Sequence, residues 1–388
     1  MSVNTMSIED AYTLMASLHQ QATGATAVTP TDLSSFISVA QATAVNGWGP
    51  VVNGISQIVG KTIVAVRNYN RKFGGLEWTA DKWAAVVRKL SFIDTDPISS
   101  PVFQLVDGSS PDMFEVKTPK VLETHYTGSV VYQGVYSIFE EQLAVSFRDP
   151  AEFASFMSGL MLHFSNEREQ WFEELARSAL CNFIAAKADM GADVIHLLTE
   201  YNSATGLSLT STTVRQPSNF PAFCKWCYAR VQEISDLMTE RSELFQVQIT
   251  GAKIKRHTPV ADQKIYLLTD LKAHMEAEVL ADTYHDSYLR VADTEAVNYW
   301  QSIQDPDEIQ VTPVYIDSTG AVTTGSAQTL TDVVGVIFDR DAIGYNVYMD
   351  RLDATPLNSK GLYYNLFSNV GCQYQNDFTE KGVVLVLD

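Results

Sequence analysis

The chain has 388 residues, of which 46% are hydrophobic and 19% are charged, and its formal net charge is -19. This length predicts two or three lobes or one large intertwined domain, and the apolar content excludes a disordered chain. The 46 acidic residues against 27 basic ones argue against direct wrapping of nucleic acid, which needs a basic face. They allow a protein that encloses nucleic acid at a distance, because an acidic wall repels a polyanion.

Cysteine content and hydropathy point to a reducing cytosol. Four cysteines are too few for a disulfide scaffold of this size. The first residues, MSVNTMSIEDAY, have no basic stretch followed by an apolar one, so we expect no signal peptide. The longest uncharged stretch, residues 33–60, is interrupted by Gly47, Gly49 and Pro50 and diluted by polar residues, so we expect no membrane span.

The first 60 residues predict short helices. Ser7 begins a capping-box pattern that Ala11, Leu14 and Leu18 follow at helical spacing, and a second helix is predicted at 32–44. The segment WGPVVNGISQIVGKTIVAV comes next. These pieces have much neutral surface and no obvious core of their own. We therefore expect them to pack on something else, such as a neighbouring chain.

Residues 100–137 change to a β-rich character. The segment PVFQLVDGSSPDMFEVKTP reads as strand, turn and strand, with the turn at Asp107, Gly108, Ser109, Ser110 and Pro111. The flanking strands alternate only weakly. Since a long hairpin without an apolar face is marginal alone, it needs a partner surface.

A long helix is the clearest element. Asp149 is the predicted N-cap, Pro150 the first helical residue and Glu152 the third, and the helix should end near Gly191. About 40 residues correspond to roughly 60 Å, which exceeds what a compact domain needs. Its apolar residues at helical spacing are Phe153, Phe156, Met157, Leu160, Met161, Phe164, Trp171, Leu175, Leu180 and Phe183.

The rest alternates helices and strands without regular βαβ spacing. A helix is predicted from Asn219 to about Ser242, and Asp270 is the predicted cap of a further helix, LKAHMEAEVLAD. Strands are predicted at 264–270, 310–316, 333–338, 361–367 and 383–388. The fold class is therefore α+β.

Enzymatic motifs are weak. Cys224 and Cys227 form a CxxC, whose spacing suits a redox pair, but a loop rather than a strand precedes it. Ordinary cysteines on a helix face are the favoured interpretation. There is no HExxH, no GxxxxGK[ST], no GxGxxG and no GxSxG, so we expect no metal, no cofactor and no catalytic residues. The histidines are scattered at His19, His125, His163, His196, His257, His274 and His285.

Three charged clusters have simpler interpretations. Carboxylates crowd the long helix at positions 167, 169, 173 and 174, which predicts a solvated, salt-bridged helix face. Lys253, Lys255, Arg256 and His257 form a basic cluster, expected to meet an acidic patch on a neighbouring copy rather than nucleic acid. The segment 339–341 follows the apolar run VVGVI as a charged corner, with Gly344 permitting a turn, and its charges are candidates for pairing across a subunit boundary.

The order of elements and several segments resemble the major capsid proteins of tailed bacteriophages, in particular those of small gut and Gram-positive phages. The matching segments are SIFEEQLAVSFRDPAEFASFMSGLMLHFSNEREQWFEELARSAL, LLTEYNSATGLSLTSTTVRQPSNFPAF, SDLMTERSELF, KRHTPV, LADTYHDSYL and DVVGVIFDRDAIGYN…NDFTEKGVVLVLD. The resemblance extends over most of the chain from about residue 60.

The resemblance implies a capsid fold with an N-terminal arm, an extended β-hairpin loop, a long spine helix, and peripheral and axial domains. The arm would be 1–60, and 61–148 would start the peripheral domain and carry the extended loop at about 95–135. The spine helix and peripheral domain would be 149–219, the axial domain 220–330 and the C-terminal peripheral strands 331–388. Some relatives crosslink through a loop lysine, but nothing marks Lys117 or Lys120 as reactive.

The implied function is structural, and no enzymatic activity is expected. Copies of the chain would assemble as pentamers and hexamers into an icosahedral virion capsid in the host cytoplasm, enclosing DNA without sequence-specific binding. A scaffolding protein, a portal and a decoration protein are the expected partners, with no membrane. The alternatives are a nanocompartment shell protein and a CxxC thiol oxidoreductase. Candidate contact residues between copies are Asp107, Gly108, Ser109, Pro111, Lys117, Lys120, Lys253, Lys255, Arg256, Asp339, Arg340 and Asp341.

Overall fold

A computed structural model describes residues 7–26, 28–59, 69–78, 87–95, 108, 112, 114, 116, 118–127, 129–191, 193–282 and 294–388. It divides into two compact units. Unit 1 comprises Met1–Ala85, Ser129–Leu175 and Tyr345–Gln373, and unit 2 comprises Val86–Gly128, Ala176–Gly344 and Tyr374–Asp388. Each unit therefore combines segments that are distant in sequence.

The helices and strands follow one another along the described residues. The helices are α1 (Ile8–Thr23), α2 (Leu33–Ala44), α3 (Trp48–Val59), α4 (Glu140–Ser146), α5 (Pro150–Asp189), α6 (Leu197–Thr205), α7 (Ser211–Val214), α8 (Phe220–Thr239) and α9 (Thr269–Asp282). The strands are β1 (Val87–Phe92), β2 (Val121–Tyr126), β3 (Ser129–Phe139), β4 (Val194–His196), β5 (Gln263–Leu268), β6 (Thr294–Val297), β7 (Ile309–Val311), β8 (Val314–Ile316), β9 (Val322–Thr324), β10 (Gln328–Leu330), β11 (Val333–Asp339), β12 (Ile343–Ala354), β13 (Tyr363–Asn376) and β14 (Gly382–Val386).

The N-terminal helices begin where the sequence predicts. The Ser7 hydroxyl accepts a hydrogen bond from the backbone N–H of Asp10 at 3.1 Å, and Asp32 forms a capping box with Ser35. At the end of α1, Gly24 adopts a left-handed conformation with φ 71°, which stops the helix.

As expected, the described part of the first 60 residues, 7–26 and 28–59, has no separate core, but the surface on which it packs belongs to its own chain. Helices α1, α2 and α3 pack against one another and share one apolar cluster with the first half of α5. Leu18, Phe36 and Val52 are fully buried there, and the rings of Phe36 and Phe153 lie 6.0 Å apart. The apolar residues were sufficient for a core because the helices converge on α5, which sequence spacing alone does not reveal.

Unit 1 also contains a three-stranded antiparallel sheet in the order β12, β13, β3. β13 pairs with β3 from Tyr363 opposite Phe139 to Gln373 opposite Ser129. Gly134 lies on the sheet face that meets α5, where a Cβ would approach the ring of Trp171 to 2.8 Å. Glycine at this position therefore allows the Trp171 ring to pack directly on the strand.

Unit 2 is built around a five-stranded sheet in the order β4, β14, β11, β5, β6. All residues of β11 and β14 are buried, which explains why β14 is apolar throughout and β11 is apolar as far as Phe338. Helices α6, α8 and α9 contribute to the same core as the sheet. Short pairs β1–β2, β7–β10 and β8–β9 complete the described part of the unit.

Helix α5 confirms the sequence prediction almost to the residue. It spans 40 residues from Pro150, and Asp149 accepts a hydrogen bond from the backbone N–H of Ala151 at 2.7 Å. Other boundaries differ. The strand predicted at 310–316 is divided between β7 and β8 around Pro313, and Asp270 lies in the first turn of α9 rather than at its cap.

Candidate functional site

Two of the charged clusters predicted from sequence converge in unit 2. They line a cleft of about 520 Å³ together with Phe92 at the end of β1, the nearby Asp94, and Glu380 near the C-terminus. Basic and acidic side chains are balanced around it. The charged and histidine residues are Arg241, Lys255, Arg256, His257, Arg340, Asp94, Asp262, Asp339, Asp341 and Glu380.

The carboxylate of Asp339 stabilises the charged corner at residues 339–341. Asp339 is 8% exposed, and its carboxylate accepts hydrogen bonds from the hydroxyl of Thr258 at 2.7 Å and the backbone N–H of Asp341 at 2.9 Å. Burial raises the pKa of Asp339. The turn occupies 340–342, and Gly344 lies within β12, so the expected turn at Gly344 is wrong. Asp339 itself fixes the turn through these two hydrogen bonds.

The other two corner residues are exposed. Arg340 contacts Asp262 at 3.0 Å through Nη1, and its backbone N–H donates to the carbonyl of Asp262 at 2.9 Å. Asp341 lies 3.7 Å from Nε of Arg340. The corner therefore presents a charged pair at the rim of the cleft and keeps Asp339 inside.

The basic cluster finds acidic partners within its own chain. Lys253 pairs with Glu243 at 2.8 Å, and Arg256 pairs with Glu380 at 3.2 Å while donating to the Ser91 hydroxyl at 2.8 Å. For these two residues, the acidic partner that the sequence interpretation placed on a neighbouring copy is present in the same molecule.

A buried ion network underlies the cleft. Nζ of Lys89 lies 2.6 Å from the Asp377 carboxylate and 2.5 Å from that of Glu380, whose side chains are 1% and 8% exposed. Burial opposes the charge on Lys89, but the two carboxylates outweigh it and raise its pKa. Burial also opposes the charge on Asp377, yet the ammonium lowers its pKa, whereas burial prevails at Glu380 and raises its pKa. No local sequence pattern indicates this network, because Lys89 is almost 300 residues from Asp377 and Glu380.

The network fixes the base of the predicted extended loop. β1 and β2 pair antiparallel from Val87 opposite Tyr126 to Phe92 opposite Val121. Beyond them, the backbone N–H of Ile93 donates to the Lys120 carbonyl at 3.0 Å, and Arg241 pairs with Asp94 at 2.5 Å. The part of the loop enclosed by these contacts is therefore tied to unit 2 at both ends.

The opposite face of the β1–β2 pair is open, and it carries apolar side chains beside the surface ion pair of Arg88 and Glu123. Leu90, Phe92 and Val121 are 53%, 70% and 45% exposed. Asp107, Ser109, Pro111 and Lys117 lie outside the described residues. Gly108 is exposed with φ 83°, and Lys120 is exposed.

The four cysteines are free and buried. Burial raises the pKa of Cys224 to about 12 and raises that of Cys227 further. Because the thiolate is the reactive form, burial on α8 disfavours the reactive form of both cysteines. Among the described residues, no group of three or more His, Cys, Asp and Glu side chains could hold a metal ion. No helix within the described ranges has both the length and the apolarity to cross a membrane.

The acidic face of α5 is only partly solvated, which corrects the sequence interpretation. Glu173 is 6% exposed, and its carboxylate accepts hydrogen bonds from the hydroxyl of Tyr69 and the backbone N–H of Lys72, the latter at 3.4 Å. Arg71 pairs with Glu169 at 3.5 Å and stacks over the ring of Phe172. The segment around 69–77 therefore covers part of the helix face that the carboxylates occupy.

Comparison with solved structures places this fold among phage capsids. A chain in the capsid structure of Staphylococcus phage Andhra has a TM-score of 0.58 and 12% identity, over 84% of this chain and 87% of that chain. A chain in the structure of head fiber and inner core protein gp22 of native bacteriophage P68 has a TM-score of 0.55 and 11% identity, over 84% and 87%. At these identities the likeness shows the fold alone.

The family follows from the sequence itself. The profile of the Phi29-like phage major capsid protein family matches residues 16–377. The chain therefore belongs to this family, and it is a phage major capsid protein that forms the capsid shell. The predicted α+β capsid fold and the resemblance are confirmed, whereas the nanocompartment and thiol oxidoreductase alternatives are not supported. No curated protein matches the sequence.

Proposed function

We propose that copies of this chain assemble as pentamers and hexamers into an icosahedral shell around the phage DNA. The family match over 362 of 388 residues, from 16 to 377, carries this proposal. Assembly takes place in the host cytoplasm with a scaffolding protein that sets curvature, and a portal and a decoration protein complete the head. The net charge of -19 suits a container that holds DNA without binding it tightly.

The domain assignment remains part of the proposal. Residues 1–60 form the N-terminal arm, in which α1, α2 and α3 supply a helical body. Residues 61–148 begin the peripheral domain and carry the extended loop at about 95–135, and 149–219 supply the spine helix and a further part of the peripheral domain. The axial domain is 220–330, and 331–388 return to the peripheral domain.

In this proposal the extended loop lies over a neighbouring copy. Two features of its base support the role. The buried contacts of Lys89 with Asp377 and Glu380 hold one face of the β1–β2 pair on unit 2. The other face exposes Leu90 and Phe92, and apolar side chains of this kind gain stability when a partner covers them.

The rim of the cleft is the second proposed contact between copies. Lys255, Arg340 and Asp341 line it, and Arg340 and Asp341 are 61% and 55% exposed in their side chains. Lys253, Gly108 and Lys120 are also exposed and remain candidates. Arg256 and Asp339 are held inside the subunit, so they would position this rim rather than contact the neighbour.

Deleting residues 104–114 tests the role of the loop. The deletion should leave a soluble subunit that no longer closes into shells, as seen by electron microscopy. A point variant, Phe92→Asp, should have the same effect because it places a charge on the exposed face of the loop base. The matched control is Ile303→Asp, at a residue 75% exposed elsewhere in unit 2, which should assemble normally. Normal heads from both loop variants would refute the role.

We further propose that the protein has no catalytic activity, which the buried, high-pKa thiols of Cys224 and Cys227 support. The double variant Cys224→Ser, Cys227→Ser should give the wild-type yield of particles. Loss of a measurable reductase activity in that variant would show that the chain is also an enzyme.

A further inference from the structure

The sheet of unit 1 has one face without a partner in the described structure. The inner face of β3 meets α5, where the rings of Tyr132 and Trp171 stack at 6.0 Å. On the outer face, Val131, Val135 and Phe139 are 54%, 51% and 48% exposed. β3 lies at the side of the sheet, and none of the described strands pairs with its other edge.

The outer face carries no charge over two strands. On β3 it presents Ser129, Val131, Gln133, Val135, Ser137 and Phe139. The residues opposite on β13 are Tyr363, Asn365, Phe367, Asn369, Gly371 and Gln373, of which the last two are buried. We call the other ten positions the neutral strip. Gln133 donates to Asn369 at 2.7 Å and Ser137 to Asn365 at 2.6 Å, so polar side chains of the strip already satisfy one another.

A long, uncharged edge strand is unusual in a protein that stays alone. Edge strands are normally protected by charged residues, proline or bulges, because their unpaired N–H and C=O groups pair readily with another chain. The sequence of β3, SVVYQGVYSIF, contains no charged residue and no proline. Its register with β13 is continuous over 11 residues, without a bulge. The free edge of β3 is therefore suited to being covered by another chain.

The net charge of the chain and the absence of charge on the strip indicate that a second copy of the chain covers this face. Subunits with a net charge of -19 repel one another, so their contacts favour surfaces without charge, and the centres of protein interfaces are depleted in charged residues. DNA is a poor occupant because the strip offers no lysine or arginine to its phosphates. Since many identical copies form the shell, the partner that is always present is the same chain.

We propose that the neutral strip is a contact between copies of this chain in the shell, where a second copy covers the free edge of β3 and the side chains of Val131, Val135 and Phe139. This inference rests on assembly into shells and adds the surface through which one contact is made. It is separate from the extended loop, which belongs to unit 2 at its base.

Thiol labelling of the variant Val135→Cys tests the contact directly. All four native cysteines are buried, so a maleimide reports mainly the new thiol, and the wild-type protein gives the background. The thiol should react in free subunits and lose its reactivity in shells assembled from this chain alone. Equal labelling in subunits and shells would overturn the proposal. Protection that requires bound DNA, or a second protein that remains in the shell, would also overturn it.

A pair of substitutions at the same residue gives an independent readout. Val135→Glu should leave a folded subunit, judged by circular dichroism, and abolish shell formation, whereas the uncharged Val135→Thr should assemble. Wild-type yields of shells from Val135→Glu contradict the proposal. If the wild-type chain forms no shells either with or without a scaffolding protein, the proposed function fails, and that result is distinct from a failure confined to the Val135 variants.

Discussion

At the scale of single residues, neighbouring cations on β1 have opposite environments. Lys89 is 20% exposed in its side chain and contacts two buried carboxylates, whereas Arg88 is 56% exposed and pairs with Glu123 on the surface. Removing one partner of a buried ion pair leaves an uncompensated charge, which costs far more than losing a surface pair. The two residues therefore form a matched pair for measurement.

Lys89→Met should lower the free energy of unfolding of the subunit by about 3–5 kcal/mol, because Asp377 would be left buried without its cation and Glu380 would keep only Arg256. Arg88→Met should lower it by less than about 1 kcal/mol. Urea unfolding of the unassembled subunit measures both. Equal losses for the two variants would mean that the Lys89 network is not buried in solution.

The stability contribution of Asp339 should depend on pH. Burial raises its pKa, so the folded chain binds the proton more tightly than the unfolded chain. Stability from this group is full below its ordinary pKa and is lost as pH rises through the raised value. Asp339→Asn cannot ionise, and its amide oxygen can accept from the Asp341 N–H while its NH2 group donates to the Thr258 hydroxyl.

The variant Asp339→Asn should therefore gain stability relative to wild type as pH rises through that acidic range. Thermal unfolding at a series of pH values measures the difference between the two proteins. Asp341→Asn, at the exposed neighbour, controls for the change in net charge. A difference between Asp339→Asn and wild type that stays constant with pH would contradict the raised pKa.

At the scale of elements, two glycines have opposite roles. Gly159 lies exposed within α5, and a Cβ there would meet nothing within 4 Å. Gly134 in β3 faces Trp171, and a Cβ there would approach the indole ring to 2.8 Å. The same substitution should therefore change stability in opposite directions.

Gly159→Ala should stabilise the subunit by up to about 1 kcal/mol, because alanine is the better helix former. Gly134→Ala should destabilise it by about 1–3 kcal/mol, because the ring of Trp171 must move. Denaturant unfolding tests both. Stabilisation by Gly134→Ala would show that the sheet does not pack on α5 as closely as described.

Local signals predicted the individual elements better than their packing. Asp149 and Pro150 fixed the start of α5, and the apolar sequences of β11 and β14 identified buried strands. The core formed by Phe36 and Phe153 was missed because it joins residues that are distant in the chain. The Lys89 network was missed for the same reason, and so was the burial of Glu173 under Tyr69. Residues 339–341 were expected to form a corner, but the buried role of Asp339 depends on Thr258, which no motif indicates.

At the scale of the whole molecule, the N-terminal helices do not depend on assembly for their burial. They bury Leu18, Phe36 and Val52 within their own chain, so the subunit does not need a neighbour to complete that part of its core. The surfaces that we propose gain from a neighbour are instead the open face of the β1–β2 pair and the neutral strip of β3 and β13. On this proposal, assembly joins subunits that are already folded.

Electron microscopy of the purified chain at high concentration, with and without a scaffolding protein, tests the central claim most directly. The account predicts closed shells in which rings of five and six subunits are visible. A chain that stays monomeric under both conditions would contradict it.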